Sequence, residues 1–258
     1  MDAATSPVLF ATSLAGGLFF GMLFFVEVGR RVGVRRQAND EAGTGAVDGA
    51  VFALFGLLVA FTFSGAVARF DARRDLITKE ANAIGTAWLR LDMLPAESQP
   101  PLRKLFRDYL DARLSTYRDV SQRGTTMAEY DRSIAIQNEI WVLAVSASKA
   151  APSPATATLV LPALNDMIDI TTTRLMASRT HPPTVIFALL FVLALGCSFL
   201  AGVGMAKSGR RNWLHMTAFA AITAVTVYVI LDIEFPRLGL VRVDAADRVL
   251  VELRQSMK

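Results

Sequence analysis

Charged side chains cluster where two apolar segments of this 258-residue sequence end. The first group follows the apolar run 49–68 and consists of Arg69, Arg73 and Arg74. The second group follows the apolar run 213–231 and consists of Asp232, Glu234 and Arg237. Charges of both signs at two segment ends can form ion pairs that anchor both ends, or they can line a vestibule that collects ions. Both interpretations require that the two ends lie at the same edge of a membrane.

Four apolar segments are each long enough to cross a hydrocarbon core, which takes about 20 residues of helix. They are 8–26, 49–68, 183–206 and 213–231. His215, near one end of the last segment, is the only His, Lys, Arg, Asp or Glu among them. Because 53% of all residues are hydrophobic and only 19% are charged, the sequence predicts an all-α membrane protein with four transmembrane helices. Small residues in the first span, Gly16, Gly17 and Gly21, would let another helix approach closely.

The region 69–182, between the second and third spans, predicts an inserted extramembrane bundle of helices. Apolar residues at helical spacing, such as Ile77 and Ile84, continue the helix of the second span as far as Pro95. Three further helices are predicted to begin at residue 100, at the capping-box sequence 126–129 and after the Pro-rich loop 150–156. The architecture is therefore two spans, a bundle and two more spans.

Charged residues on the bundle helices predict faces turned to water. They include Arg113 on the helix that begins near residue 100, and Asp166, Asp169 and Arg174 on the last bundle helix. Pro162 is expected to kink that last helix or delay its start. The C-terminal tail, 232–258, predicts a short helix capped by Asp244 that packs on the bundle or on a neighbouring subunit.

Four spans place the N-terminus, the bundle and the tail on one side of the membrane and both short loops on the other. The two charged groups therefore share one edge. The loops carry seven basic residues, which are Arg30, Arg31, Arg35, Arg36, Lys207, Arg210 and Arg211. The positive-inside rule then favours cytoplasmic loops and a periplasmic bundle. Basic residues that border the bundle side, Lys79 among them, reduce this imbalance.

Several functional classes lack support in the sequence. Two histidines and one cysteine, Cys197 inside the third span, cannot supply a Cys/His metal cluster. Neither a nucleotide-binding glycine loop nor a serine-nucleophile motif occurs. The net charge of +4 comes with arginines that flank apolar spans, which is ordinary in membrane proteins. We expect no catalytic residue, metal, cofactor or nucleic-acid partner, and Cys197 is interpreted as a packing residue.

Four runs of sequence along the second and fourth spans carry a family resemblance. They are FGLLVAFTFS at 55–64, RFDARR at 69–74, KEANAIGTA at 79–87 and LDIEFPRLG at 231–239. Together they resemble a family of bacterial membrane proteins of unknown function that is described as bestrophin-like. The resemblance covers nearly the whole chain and implies a multi-pass protein of the bacterial inner membrane.

The order of elements and the register of Phe61 against the run 69–74 also resemble bestrophin anion channels. Those channels are pentamers whose second helices line a pore with an apolar neck. The resemblance implies a homo-oligomeric, anion-selective channel in which Leu57 and Phe61 form the neck and the two charged groups line its mouth. Ala53 and Thr62 depart from the pattern, since a basic residue is expected at the latter position. Bestrophins keep their helical domain in the cytoplasm, opposite to the side that the arginine count favours.

Two alternatives to a channel remain at this stage. The bundle could serve a membrane-anchored sensor or a protein-interaction module, binding a ligand or partner outside the cytoplasm. Such a sensor would need a second protein, because the sequence contains no output domain. A membrane enzyme is the third candidate, although the acidic pairs it would use, such as Asp108 with Asp111, lie on faces rich in arginine.

Overall fold

The computed structural model describes residues 7–36, 45–118, 123–206, 213–235, 240–241 and 243–257. These residues form eight α-helices and two short 3-10 turns, and no strand occurs among them. The helices are α1 (Pro7–Arg36), α2 (Gly45–Arg90), α3 (Gln99–Arg118), α4 (Arg123–Ala150), α5 (Ala155–Arg179), α6 (Thr184–Met205), α7 (Trp213–Glu234) and α8 (Asp244–Ser256). The 3-10 turns, Leu91–Met93 and Ala96–Ser98, connect α2 to α3.

Four helical segments of the described chain are long and apolar enough to cross a membrane. They are Ala11–Arg35, Gly45–Met93, Ala155–Met205 and Trp213–Glu234. This confirms the predicted fold class, an all-α membrane protein. Helix α2 also extends without a break from its apolar half into its charged half, and it ends at Arg90, where the 3-10 turn Leu91–Met93 replaces the predicted helical residues before Pro95.

The chain divides into two compact units. Unit 1 consists of Met1–Phe70 and His181–Val241, and unit 2 consists of Asp71–Thr180 and Arg242–Lys258. Helix α2 contributes its first part to unit 1 and the rest to unit 2. The C-terminal tail is divided as well, since α7 ends in unit 1 and α8 belongs to unit 2.

Helices α1 and α6 of unit 1 pack backbone against backbone through glycines. A Cβ atom on Gly202 would lie 2.1 Å from the carbonyl oxygen of Val26, and one on Gly29 would lie 2.0 Å from that of Phe199. Gly33 approaches Val203 in the same way, so the two helices run in the same direction. Gly residues allow this spacing because they carry no side chain, and the close contact replaces the hydrophobic driving force that lipid cannot supply.

Of the three glycines predicted to let another helix approach closely, only Gly21 lies against one. A Cβ atom on Gly21 would contact Leu195 at 3.2 Å, but one on Gly16 or Gly17 would meet no atom within 4 Å. The prediction missed Gly29 and Gly33 because it ended the first span at residue 26, whereas α1 continues to Arg36. Its extension is supported by Glu27, which accepts hydrogen bonds from the guanidinium groups of Arg30 and Arg31.

Unit 2 is a helical bundle with an apolar core. Fully buried members of the core include Ile77, Ile84, Leu102, Phe106, Leu110, Ile140, Leu164 and Met167. The predicted start of α4 at 126 is wrong, because the helix begins at Arg123. Of the two effects expected of Pro162, a kink or a delayed start, the delay does not occur, because α5 begins ahead of it at Ala155. Pro162 is the eighth residue of α5 and so lies beyond the first turn, where its missing N–H removes the hydrogen bond to the carbonyl oxygen of Thr158. The N-cap of α8 is Val243, with no side-chain capping bond, so Asp244 does not precede the helix.

Two arginines predicted to face water are buried instead. Arg113 is fully buried and Arg174 is nearly so, whereas Asp166 and Asp169 are exposed as predicted. A charged side chain is buried only where partners compensate its lost hydration. Both guanidinium groups bind the carboxylate of Glu80, which the sequence did not single out.

Candidate functional site

The apolar half of α2 has one face buried in unit 1 and one face turned outward. Phe55, Thr62 and Ala66 are buried, while Leu57 is 52% exposed and Phe61 is 68% exposed. Residues four apart lie on the same face of a helix, so Leu57 and Phe61 stand one turn apart on the outward face. Thr62, at the position where the resemblance predicts a basic residue, donates its hydroxyl to the carbonyl oxygen of Leu58 at 2.7 Å.

Small residues make up much of the rest of that outward face. They are exposed and comprise Gly49, Ala50, Ala53, Gly56, Ala60 and Ser64. A Cβ atom on Gly49 or Gly56 would meet no atom within 4 Å, in contrast to the glycines between α1 and α6. Among the described residues of unit 1, nothing therefore covers this strip. An uncharged strip of this kind can be covered by lipid or by another copy of the chain, or can border a water-filled path.

The charged end of α2 in unit 1 is joined to the end of α7. The guanidinium group of Arg69 donates to the buried carboxylate of Glu234, with Nε 3.0 Å and Nη2 2.8 Å from Oε2. His181 contributes a third side chain, since its Nδ1 lies 3.0 Å from the other oxygen, Oε1. The imidazole ring also packs against the ring of Phe235, with 4.7 Å between ring centroids and an angle of 33° between the ring planes. The side chains of Arg69 and His181 thus both contact the carboxylate of Glu234, and we call these three residues the edge cluster.

The second acidic residue of the predicted group serves the backbone that follows α7. The carboxylate of Asp232 accepts the N–H groups of Leu240, at 2.9 Å, and Val241, at 2.8 Å. Asp232 is itself buried, so these two bonds replace hydration that its carboxylate has lost. Both predicted acids at the end of α7 are therefore engaged by protein partners.

The remaining predicted arginines have other positions. Arg73 belongs to unit 2, where it donates to the carbonyl oxygens of Ala177 and Thr180 at 3.1 and 2.9 Å. These carbonyls are the unsatisfied acceptors at the C-terminus of α5, so Arg73 caps that helix. Arg74 lies 3.6 Å from the carboxylate of Asp71, one turn earlier on α2. Arg237, together with the loop residues Lys207, Arg210 and Arg211, lies outside the described residues.

His181 is the residue of the edge cluster that sequence reasoning missed. Its signal was weak: a single histidine before Pro182 and Pro183, at the entry to the third span. Its partner Glu234 lies 53 residues away, at the end of the fourth span. The third span begins and the fourth span ends at the same edge of the membrane. This topology could therefore have placed His181 near Glu234.

A second group of charges, which we call the buried cluster, lies inside unit 2. Glu80 of α2 accepts a hydrogen bond from Nε of Arg113 at 2.6 Å and another from Arg174 of α5. Arg174 also donates to Asp247 of α8 at 3.0 Å. Burial opposes ionisation of Glu80, but the two guanidinium groups outweigh it and hold the pKa of Glu80 below its ordinary value of 4.5. Two carboxylates and two guanidinium groups balance one another.

An uncharged hydrogen-bond group connects three helices of the same bundle. The hydroxyl of Tyr109 (α3) lies 3.0 Å from that of Thr171 (α5), and the amide of Gln137 (α4) donates to both, at 3.1 and 2.9 Å. Burial raises the pKa of Tyr109 to about 12, so its hydroxyl keeps its proton at neutral pH. The hydroxyls of Tyr109 and Thr171 and the amide nitrogen of Gln137 thus all have hydrogen-bond partners within the protein.

Chemistry beyond ion pairing has little support in these side chains. Within the part of the chain that the structure describes, no three His, Cys, Asp or Glu residues are placed to hold a metal ion. Cys197 is buried in unit 1, among the apolar residues of α1, α2, α6 and α7. What the arrangement offers is a long helix with an uncovered apolar face, a charged anchor where its apolar half ends, and a bundle fixed by buried ions.

The helices and the edge cluster define a multi-pass, all-α membrane protein whose charges gather at the end of a long apolar helix. A family model of the Bestrophin-like domain matches residues 15–247, which is most of the chain. The protein belongs to the Bestrophin-like family. The resemblance predicted from the four sequence runs is thereby confirmed.

Solved structures of a bacterial bestrophin homologue from Klebsiella pneumoniae share this fold. A mutant form gives a TM-score of 0.69 at 13% sequence identity, covering 93% of this chain and 98% of that chain. The structure solved by Zn-SAD phasing gives a TM-score of 0.63 at 14% identity, covering 92% and 98%. At such low identities the likeness shows the fold alone. Comparison with curated protein sequences gives no match.

Proposed function

We propose that the protein is a homo-oligomeric ion channel of the bacterial inner membrane, with the outward face of α2 along the ion path. The observation that carries the proposal is the exposure of Leu57 and Phe61, one turn apart on a face that nothing covers among the described residues of unit 1. Membership of the Bestrophin-like family supports it, because that family takes its name from anion channels.

The neck of the path would be formed by Leu57 and Phe61. One copy of α2 cannot enclose water, so the path requires several copies arranged around an axis, and the family resemblance suggests five. In such a ring the Phe61 side chains of all copies approach one another. Apolar constrictions of this kind control conduction through the loss of water from the narrow part. The small residues beside them would leave room for the helices to converge.

The charged residues would set the electrostatics of the mouth. We assign this role to Arg69, Arg73, Arg74, Asp232, Glu234 and Arg237, as the resemblance implies. The carboxylates of Asp232 and Glu234 are already engaged by N–H groups, Arg69 and His181. The six residues comprise four guanidinium groups and two carboxylates, so their net positive charge would favour anions over cations. The neck itself contributes no charge, so selectivity would reside at the mouth.

Orientation needs a direct measurement, because the arginine count favours a periplasmic bundle and the bestrophin resemblance a cytoplasmic one. Glu139 is exposed on α4, and the native Cys197 is buried. A Glu139→Cys variant treated with a membrane-impermeant maleimide on cells with a permeabilised outer membrane separates the two arrangements. Labelling places the bundle in the periplasm, and protection until the inner membrane is broken places it in the cytoplasm.

Ion flux through purified protein in liposomes tests the proposal. We expect chloride efflux well above that of empty vesicles, little potassium efflux, and an oligomer by mass measurement in detergent. A folded oligomer that passes neither ion contradicts the channel and favours a membrane-anchored sensor or interaction module that uses the bundle. A folded monomer contradicts the shared path, because one α2 helix cannot enclose it.

A further inference from the structure

His181 is a titratable side chain that the ion path described so far does not use. It lies just before α6 and is followed by two prolines, and a residue that precedes proline is restricted to extended backbone conformations. Its imidazole ring contacts two residues at the end of α7, the carboxylate of Glu234 and the ring of Phe235. The ring of His181 therefore has a defined place beside the acid that binds Arg69.

The contact with Glu234 fixes where the hydrogens of the imidazole ring lie. Nδ1 of His181 is 3.0 Å from Oε1 of Glu234, and the same carboxylate binds the guanidinium group of Arg69. A carboxylate has acceptor atoms only, so Nδ1 is the donor and carries a hydrogen. Uptake and release of a proton then fall to Nε2, and water can reach the ring because the His181 side chain is 33% exposed. The hydrogen bond to Glu234 is thereby kept in both charge states of the ring.

The charge of His181 follows pH, whereas the charges around it do not. The carboxylate of Glu234 contacts the ring directly, and Arg69 binds that carboxylate. Arg73 donates to the carbonyl oxygen of Thr180, the residue before His181 in the chain. Guanidinium groups stay charged, and carboxylates ordinarily titrate near about pH 4, but histidine ordinarily changes charge between about pH 5 and 8. A proton on Nε2 therefore adds one positive charge to this edge in each copy.

We propose that His181 is a further residue of the mouth of the ion path and sets its anion preference according to pH. The proposal rests on the proposed function, in which the net positive charge of the edge residues favours anions. Each proton taken up by Nε2 raises that net charge, so chloride flux should rise and cation flux should fall as the pH drops through the range in which histidine titrates. Copies arranged around one axis would add these charges at the same mouth.

Nitrogen NMR tests the proton site without reference to ion flux. The chain contains two histidines, His181 and His215, so a protein labelled at histidine gives few signals, and either His181→Gln or His215→Gln assigns them. In the wild type we expect Nδ1 of His181 to stay protonated throughout and Nε2 to gain its proton between about pH 8 and 5. A neutral ring that carries its hydrogen on Nε2 overturns the proposal, and so does a ring whose charge is constant over that range.

Efflux of chloride and potassium from liposomes, measured from about pH 8 to about pH 5, tests the role in selectivity. The wild-type ratio of chloride to potassium efflux should rise at least about twofold, because added charge at a mouth concentrates counter-ions there. His181→Gln should keep the ratio constant, and His181→Arg should hold it near the low-pH value at every pH. His215→Gln makes the same change at the start of α7, which four spans place at the opposite edge, and should retain the wild-type dependence.

High salt separates this electrostatic effect from a structural effect of acid. In 1 M salt, where the Debye length is about 3 Å, the rise in the ratio should shrink, and a rise of unchanged size contradicts the proposal. A ratio that does not vary with pH, or that varies equally in His181→Gln, overturns the role of His181 but not the channel. A protein that shows the expected histidine titration and passes neither ion refutes the channel, and with it any role of His181 in conduction.

Discussion

The two units of this protein hold their helices together by different means. In unit 1, α1 and α6 touch through Gly29, Gly33 and Gly202, with their backbones too close to admit a methyl group. In unit 2, the helices meet through larger apolar side chains, and polar side chains such as Glu80 and Tyr109 are buried among them. The difference follows from the surroundings. The hydrophobic effect drives apolar helices together in water but not in lipid, where close packing has to hold them instead.

The placement of charge differs in the same way. Unit 1 keeps Arg69 and Glu234 at the end of its apolar helices, where the long side chains reach each other outside the apolar stretch. Unit 2 buries an ion cluster in its interior, where correct pairing selects one arrangement of α2, α3, α5 and α8. Close packing thus positions the helices of unit 1, and specific polar contacts position those of unit 2. The following substitutions test this contrast.

Loss of the Glu80 carboxylate should be the most damaging change in unit 2. Glu80→Gln leaves Arg113 and Arg174 without their shared anion, which for a buried ion pair costs about 3–5 kcal/mol of unfolding free energy. Denaturant unfolding in detergent, followed by tryptophan fluorescence to which the buried Trp88 contributes, measures the loss. Glu139→Gln, at an exposed position of α4, is the control and should change little.

The same residue should make unit 2 sensitive to acid. Because the pKa of Glu80 is lowered in the folded state, its contribution is present above its ordinary pKa of 4.5 and is lost as the pH falls through the folded value. The wild type should therefore lose stability below that pH, and Glu80→Gln should lose less. Equal acid sensitivity in both proteins would mean that Glu80 does not carry the effect.

A single methyl group should disrupt unit 1. Gly202→Ala places a Cβ atom 2.1 Å from the carbonyl oxygen of Val26, and overpacking of this kind costs about 1–3 kcal/mol. Gly204→Ala, two residues along α6, meets no atom within 4 Å and gains the same helix propensity. Thermal unfolding of the two variants isolates the clash. If both melt alike, glycine contact does not position α1 and α6.

Removal of one hydroxyl should have an intermediate effect. Tyr109→Phe removes the bonds to Thr171 and Gln137 but keeps the ring, for an expected loss of about 1–2 kcal/mol of unfolding free energy. Tyr130→Phe, on α4, is the matched control and should be close to neutral. Chemical denaturation of both variants gives the difference, and equal stability would show that the buried polar trio does not contribute to stability.

The exposed ion pair between Arg254 and Asp111 should matter least. About half of the aspartate side chain is exposed, and exposed pairs contribute about 0.2–1 kcal/mol. Asp111→Asn should lower the unfolding free energy by no more than that at low salt, and the difference should vanish in 1 M salt, where the Debye length is about 3 Å. A loss that persists in high salt would mean that the pair between Arg254 and Asp111 is shielded from solvent, as the buried cluster is.

The sequence predicted the fold class, the family and the continuity of α2, because these depend on local composition and on motifs. It did not reveal the buried cluster, although Glu80 falls between Ile77 and Ile84 on the apolar stripe of α2, which is a usable signal. The pairing of Glu80 with Arg174, 94 residues later, depends on tertiary packing that no local pattern contains. Charged residues are usually exposed, so the sequence predicted that Arg113 and Arg174 face water, and this prediction was wrong for both.

The candidate site was predicted unevenly for the same reason. Topology alone brought Arg69 and Glu234 to one edge, and the structure pairs them. The capping role of Arg73 on α5 could not be predicted, because it depends on where that helix ends. The neck role of Leu57 and Phe61 stays a prediction. Their exposure fits it, but exposure also fits contact with lipid.

Single-channel recording of one matched pair of variants separates these two roles for the exposed aromatic face. Phe61 on α2 is 68% exposed and Phe20 on α1 is 69% exposed, so Phe61→Ala and Phe20→Ala remove the same ring from equally exposed positions in unit 1. In planar bilayers we expect Phe61→Ala to increase unitary anion current or open probability several-fold, and Phe20→Ala to match the wild type. Wild-type current that neither substitution alters would contradict a neck at Phe61 and place that ring against lipid.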